Sequence, residues 1–479
     1  MANLVWTGSF STNFLAARNW APQKAPAPGD SLTMTFGTAF LASGKSGFID
    51  RLDQSGGIVT INGFLQATEL VSLTDTAQLR VRATGDLVAD TIVWAGASLL
   101  LEGVLTGGLA SLGSTTITGG TVDGTLVSQG TLTVTGGTIT GQISIGGGVA
   151  SFNAGSTLGG SIVMSGGEVY LNGGSLLVGD VALQAGQLTV SGTVQGSILG
   201  SSTLATSLAI QVGAVVQGNI AMGNGADTLT ISSGQIGGTI SSGGGNDYVA
   251  MGVALAQLVS GGAGNDVMDG SLQADRLGGG AGNDLLDGSR GSDTLFGDNG
   301  NDTLIGDDLG YLVNPAFDAD RLFGGRGNDL LIGGARGDRL YGGADFDTLH
   351  GGTGNDTLEG GTGADVFIFR RETQWGRDAG GNPVVRETGG HDIITDFSVP
   401  EGDRLRLNAS LWTVWPDTPN TNQQWVVDNY ATFDTVNQTV TFRFLANIIN
   451  GPVDHSITLP WFLPQSSLAG VLQIEVDPV

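Results

Sequence analysis

The sequence predicts an all-β chain: a parallel β-helix, or solenoid, that continues into a parallel β-roll, with a β-rich cap at each end. Three observations carry this expectation. A nine-residue frame runs without a phase slip from Gly261 to Ile368 and places Asp at its sixth position in eleven of twelve units. Upstream, Gly followed two residues later by Ile, Val or Leu recurs at Gly124, Gly141, Gly160, Gly179, Gly196, Gly218 and Gly238, in steps of 17 to 22 residues. Between those anchors apolar and polar residues alternate and stop at glycine, as half-buried strands and their turns require. Glycine, 83 of 479 residues, is well above the usual ~7%.

Four segments follow in order. Residues 1–54, with Trp6, Trp20 and a proline cluster between them, form an expected N-terminal β cap that stops the solenoid stacking end to end. Residues 55–240 form the solenoid, starting near Gly57, with Leu132 and Val134, Ile162 and Met164, Val169 and Leu171, and Leu188 and Val190 facing inward. A period of 17 to 22 residues is one coil, because parallel strands stacked at that interval bury one continuous core.

Residues 241–369 are the roll. The eighth position of each nine-residue unit is apolar throughout, from Met268 and Leu277 to Leu358 and Phe367. Nine residues suit a short strand and a tight turn, so two units make a coil and Asp residues 18 apart stack. One edge is then expected to carry Asp266, Asp284, Asp302, Asp320, Asp338 and Asp356. The other carries Asp275, Asp293, Asp329, Asp347 and Asp365, interrupted by Tyr311. Coils lie about 4.8 Å apart, so stacked carboxylates repel unless a cation sits between them. Calcium suits that gap, with six to eight oxygen ligands from carboxylates and carbonyls at about 2.3 to 2.6 Å. Because the two coil lengths match, solenoid and roll are expected to form one continuous rod.

The units "GGAGNDVMDG", "GGAGNDLLDG", "GGRGNDLLIG" and "GGTGNDTLEG" resemble the RTX (repeats-in-toxin) nonapeptide GGxGxDxUx. The resemblance implies a calcium-bound parallel β-roll holding several ions, about eight to ten if each needs two well-formed turns. The expected metal-site aspartates are Asp266, Asp275, Asp284, Asp293, Asp302, Asp320, Asp329, Asp338, Asp347, Asp356 and Asp365, with outlying copies at Asp227 and Asp247. The expected turn glycines are Gly262, Gly264, Gly280, Gly282, Gly300, Gly325, Gly327, Gly352, Gly354, Gly361 and Gly363. The pattern fails over residues 306–323, where a surface loop is expected instead of a calcium site. Binding and folding are one free energy in such a roll, so it is expected to be unfolded at cytosolic calcium and folded outside the cell.

Residues 370–479 form an expected C-terminal β-rich cap. "HDIITDFSVPEGDRLRLNAS" resembles the stretch that follows the roll in RTX exporters of the serralysin type. The remainder resembles their closing hairpins and uncleaved type I secretion signal. That implies the type I export machinery as a partner, and a secreted, extracellular or cell-surface location on a Gram-negative bacterium. Five of eight tryptophans, Trp375, Trp412, Trp415, Trp425 and Trp461, fall here and are expected in the cap's core.

Charge and missing motifs narrow the function. The formal charge is −26, which disfavours nucleic acid and anionic membrane as partners. No cysteine is present, so disulfides and thiolate metal sites are excluded. The start lacks an n-region and an h-region, and no 18-residue apolar run offers a membrane span. There is no HExxH and no GxSxG; His350, His391 and His455 are scattered, and His350 is expected at the surface. A polysaccharide lyase or epimerase needs a base and cations, yet no Lys, Arg or His lies between Ala83 and Asp275. A hydrolase would need paired carboxylates, and Leu105 to Met222 holds only Asp123, Glu168 and Asp180. The expectation is a non-enzymatic, calcium-dependent secreted structural protein that self-assembles into a surface layer, filament or biofilm matrix. The alternatives are a calcium-dependent adhesin that binds cell-surface polysaccharide and, last, a polysaccharide-modifying enzyme.

Overall fold

The structure is a computed structural model. It describes residues 3–6, 13–16, 20–21, 24–28, 30–201, 203–252, 258–307, 319–369, 372–377, 383–388, 391–398, 400–408, 431–434, 439–444, 453–458 and 472–475. The chain falls into two compact units, Met1–Thr239 and Ile240–Val479. Among the described residues every regular element is a strand, and no helix is long and apolar enough to cross a membrane.

In the first unit each coil crosses three ladders, in which strands pair in parallel from one coil to the next. The ten-residue strands Ile162–Leu171 and Val181–Val190 each run through two of them. One ladder aligns Leu132, Ala150, Val169, Leu188, Leu208 and Leu229. A second aligns the residues that follow the glycine anchors: Leu109, Leu126, Ile143, Ile162, Val181, Ile198 and Ile220. A third aligns Leu105, Val122, Ile139, Leu158, Leu177, Val194 and Val216. All four inward pairs read from the alternation are at most 1% exposed. The alternation defines the inside because neighbouring residues of a strand point to opposite faces. Glycine at the coil corners has a steric cause: a Cβ on Gly130 would overlap the carbonyl oxygen of Gly113 one coil earlier.

The expected start near Gly57 moves upstream. Asn3–Trp6 already pairs in parallel with Ser31–Met34, which pairs with Arg51–Gln54 of the next strand. Proline and loop residues between these strands conceal the period. Trp20 is wholly buried, donates its indole N–H to the Phe14 carbonyl at 2.7 Å and meets the Phe14 ring edge-on at 5.4 Å.

The second unit has two strands per coil. One side stacks Val259, Leu277, Leu295, Leu322, Leu340 and Leu358; the other stacks Met268, Leu286, Leu304, Leu331, Leu349 and Phe367. These side chains are fully buried and fill the thin interior. The two-unit coil is as expected; the assignment of its edges is corrected. From Asp302 to Asp329, and from Asp293 to Asp320, a coil takes 27 residues instead of 18. One nonapeptide length therefore lies outside the regular coil. Asp320, Asp338 and Asp356 follow Asp275 and Asp293, whereas Asp329, Asp347 and Asp365 follow Asp302. Tyr311 lies outside the described residues.

Beyond Phe369 the roll continues. His391–Ile394 pairs in parallel with the strand carrying Thr357 and Leu358, and Arg404–Asn408 pairs with Val366–Phe369. Ala431–Asp434, Thr439–Phe444 and Val453–Thr458 then pair antiparallel. Trp412, Trp415, Trp425 and Trp461, and the side chain of Trp375, lie outside the described residues. The expectation that His350 is a surface residue is overturned: it is 4% exposed, within Thr348–Thr353 and in register with Ile332.

Replacing Ile162, fully buried at the centre of two adjacent coils, with Ala removes three methyl-sized groups from a packed interior. We expect Ile162→Ala to cost about 2–5 kcal/mol. Chemical denaturation should show the same loss in calcium and in chelator, because no calcium ligand borders this core.

Candidate metal centre

Each rim of the roll is built from one repeated contact. The N–H of each Asp donates to Oδ1 of the Asp one coil on. Along one rim this links Asp247, Asp266, Asp284, Asp302, Asp329, Asp347, Asp365 and Asp403, at 2.8 to 3.0 Å. Along the other it links Asp275, Asp293, Asp320, Asp338, Asp356 and Asp392, at 2.7 to 3.0 Å. The aspartates from Asp266 to Asp365 are between 0 and 4% exposed, so both rims draw the carboxylates inside. Asp227 belongs to the first unit and accepts from the Thr206 N–H at 2.6 Å and the Thr206 hydroxyl at 2.8 Å.

Satisfying Oδ1 leaves the second oxygen. Oδ2 of Asp266, Asp284, Asp293, Asp302, Asp329, Asp338, Asp347 and Asp365, and Oδ1 of Asp275, are buried with no hydrogen-bond partner. An orphaned buried carboxylate oxygen is costly and points to a missing cation. The space beside it is defined by the first glycine of the unit. A Cβ on Gly342 would lie 2.5 Å from Asp347 Oδ2 and 2.6 Å from the Gly360 carbonyl oxygen; on Gly288 it would lie 2.5 Å from Asp293 Oδ2 and 2.8 Å from the Gly306 oxygen. Carboxylate and carbonyl oxygens thus converge on one small cradle per turn, near enough for one calcium ion to touch both at about 2.3–2.6 Å. No three His, Cys, Asp or Glu side chains converge among the described residues; each cradle combines a single carboxylate with backbone oxygen.

The turn glycines supply the backbone path. Gly262, Gly264, Gly280, Gly282, Gly300, Gly325, Gly327, Gly352, Gly354, Gly361 and Gly363 all have φ between +97° and +144°. The turn persists where other residues stand in their place, with Ser289 and Asp298 at +72°, Arg336 at +89° and Asp345 at +85°. Each such residue carries a steric cost of about 1–2 kcal/mol, so the remaining coils impose the conformation.

Electrostatics records the same deficit. Burial pushes the carboxyls up, a backbone hydrogen bond from the preceding coil opposes it, and neighbouring carboxylates add to the rise. Asp338 reaches about 9, Asp293 about 8, Asp284 and Asp347 about 7, and Asp302, Asp329 and Asp365 about 6. Asp298 and Asp345, at positions that hold glycine elsewhere, are among the charges that raise their neighbours.

Four stretches, residues 258–277, 278–308, 317–335 and 332–367, match the family described as RTX calcium-binding nonapeptide repeat. The roll is an RTX repeat array. RTX repeats are calcium-binding motifs and are typical of proteins secreted by Gram-negative bacteria. A search among curated proteins finds no match.

Reading the motif alone missed three parts of the RTX rims. The first glycine of each unit is the one placed against the carboxylate. Asp392 and Asp403 extend the two rims, and Asp396 accepts the N–H groups of Gly360 and Gly361 at 3.0 and 2.6 Å. Asp392 and Asp403 each stand two residues before an apolar residue, Ile394 and Leu405. That Asp-x-apolar signature could have revealed them outside the nine-residue frame.

Two outcomes follow. Carboxyls raised from about 3.9 in the unfolded chain make the metal-free roll bind protons on folding, so its stability falls as pH rises from about 4 to about 9. Metal-stripped protein should gain strand signal in circular dichroism between pH 8 and pH 5, whereas calcium-loaded protein should change little. Asp338→Asn removes the most strongly raised carboxyl. It should strengthen the metal-free fold and, if the lost ligand is worth about 1.4 kcal/mol, raise the calcium midpoint of folding about tenfold.

Proposed function

We propose that this chain is a calcium-dependent secreted structural protein that assembles into an extracellular surface layer, filament or biofilm matrix. The observation that carries this reading is how the polar groups of both units are used: they close coils. The rim aspartates, through Oδ2 and with backbone carbonyls such as those of Gly306 and Gly360, would hold calcium. The bound ion supplies the positive charge that lets adjacent coils stack. With dissociation constants of about 10⁻⁴–10⁻³ M, typical of extracellular calcium modules, the roll would stay unfolded through export and set outside the cell.

The three carboxylates of the coils between Leu105 and Met222 support a scaffold over an enzyme. Asp123 accepts from the Thr140 hydroxyl at 2.8 Å, Glu168 from the Tyr170 hydroxyl at 2.8 Å, and Asp180 from the Ser197 N–H at 2.7 Å. Asp123 ends the strand Thr121–Asp123, Glu168 lies within Ile162–Leu171 and Asp180 precedes Val181–Val190, so each serves a different part of the coil. An adhesin is the second reading, favoured by the exposed arginines Arg276, Arg321 and Arg339, which share one register column of the roll.

Electron microscopy of the purified protein tests the first reading. Ordered sheets or fibres are expected in millimolar calcium and should disperse in chelator. A monodisperse monomer under both conditions contradicts it.

A further inference from the structure

Basic residues are unevenly placed in this acidic chain. None lies between Ala83 and Asp275, yet one sheet face of the roll carries Arg276, Arg321 and Arg339 in a single register column. Thr294 stands between the first two, and Arg321 and Arg339 are direct neighbours. All three are exposed, each preceding a fully buried leucine, Leu277, Leu322 or Leu340. Arg326, also exposed, lies at the end of the Arg321–Arg326 strand. The ion pairs among the described residues are Lys24–Asp30, Arg51–Asp53 and Arg82–Glu102, so none of these four arginines is in one.

The neighbouring column explains what the face can recognise. Phe296, Phe323 and Tyr341 stack on one another, with centroids 5.1 and 4.9 Å apart and ring planes within 8°. The Arg276 guanidinium covers the far side of Phe296 at 4.8 Å from its centroid. The faces of Phe323, and both faces of Phe296, are taken up by this stack. What the face offers is a column of three exposed arginines, with one exposed carboxylate, Glu359, beside Tyr341 at its end. Arg321 and Arg339 are neighbours in register, so like charges stand side by side there, and an anion lying along the column is attracted to both.

We propose that this face binds an anionic polysaccharide, a linear chain with carboxylates at regular intervals laid along the arginine column. A second copy of this chain is a poorer occupant, because its regular rows of carboxylates are buried in the rims. A neutral glycan gains nothing from the arginines. The inference is independent of whether copies of the chain assemble.

Short oligogalacturonates and neutral dextran oligosaccharides of matched length, titrated into the calcium-loaded protein, test it. Wild type should bind the oligogalacturonate and not the dextran, and added salt should weaken binding. R321Q/R339Q should bind about tenfold more weakly, R276Q less severely, with the calcium-induced strand signal of both equal to wild type. Three results overturn the proposal: no oligogalacturonate binding by wild type, equal binding of the neutral sugar, or a double variant that folds and binds as wild type does. A double variant that keeps oligogalacturonate but loses self-association also overturns it, and assigns the face to a second copy.

Discussion

Each coil of the roll is tied to the next by an N–H that donates to one oxygen of a buried carboxylate, and that bond creates the problem the metal must solve. It fixes the Asp in place and lowers the cost of its charge, but burial outweighs it, as the raised carboxyls of Asp293 and Asp338 record. The second oxygen is left facing carbonyl oxygen across a space kept open by glycine. A proton can relieve this only one carboxylate at a time, whereas a divalent cation relieves the carboxylate and the carbonyls together. Folding and calcium binding are therefore expected to be one event in this part of the chain.

The first unit uses the same device with hydroxyl and amide acceptors beside isolated carboxylates such as Asp180, which accepts from the Ser197 N–H. At its coil corners the Asn219 N–H donates to the Ser197 hydroxyl at 3.1 Å and the Thr239 N–H to the Asn219 side-chain oxygen at 2.9 Å. These acceptors form no continuous column of carboxylates, and three ladders of Ile, Leu and Val supply a thicker core than the two of the roll. The two halves of the sequence solve one problem, closing a coil on its neighbour, with opposite dependence on the medium. The combination is expected to leave one part stable without calcium while the other sets only where calcium is plentiful.

Much of this was legible in the sequence because both units repeat. The apolar eighth position of the RTX units and the Gly-x-aliphatic anchors upstream name residues that are fully buried, such as Leu286 and Ile143. The rim aspartates announced themselves by their period. What stayed hidden has a common cause: a periodic frame reports length and not path. A nine-residue excursion near Asp307 keeps the frame while exchanging the two rims, so Asp320 joins Asp293 instead of Asp302. Asp392 and Asp403 serve the rims outside the nine-residue frame, and one anchor per coil could not show that each coil of the first unit crosses three ladders. The cradle beside Gly342 depends on a close approach between coils, which no one-dimensional pattern carries.

Hydrogen exchange resolved along the chain at pH 8 tests the central claim most directly. With calcium, strands from Val259–Ala263 to Val366–Phe369 should be protected; after metal removal they should exchange as an unfolded chain does, while the ladders between Gln78–Val81 and Thr228–Ile231 stay protected throughout. Protection of the roll that survives complete metal removal would contradict the account.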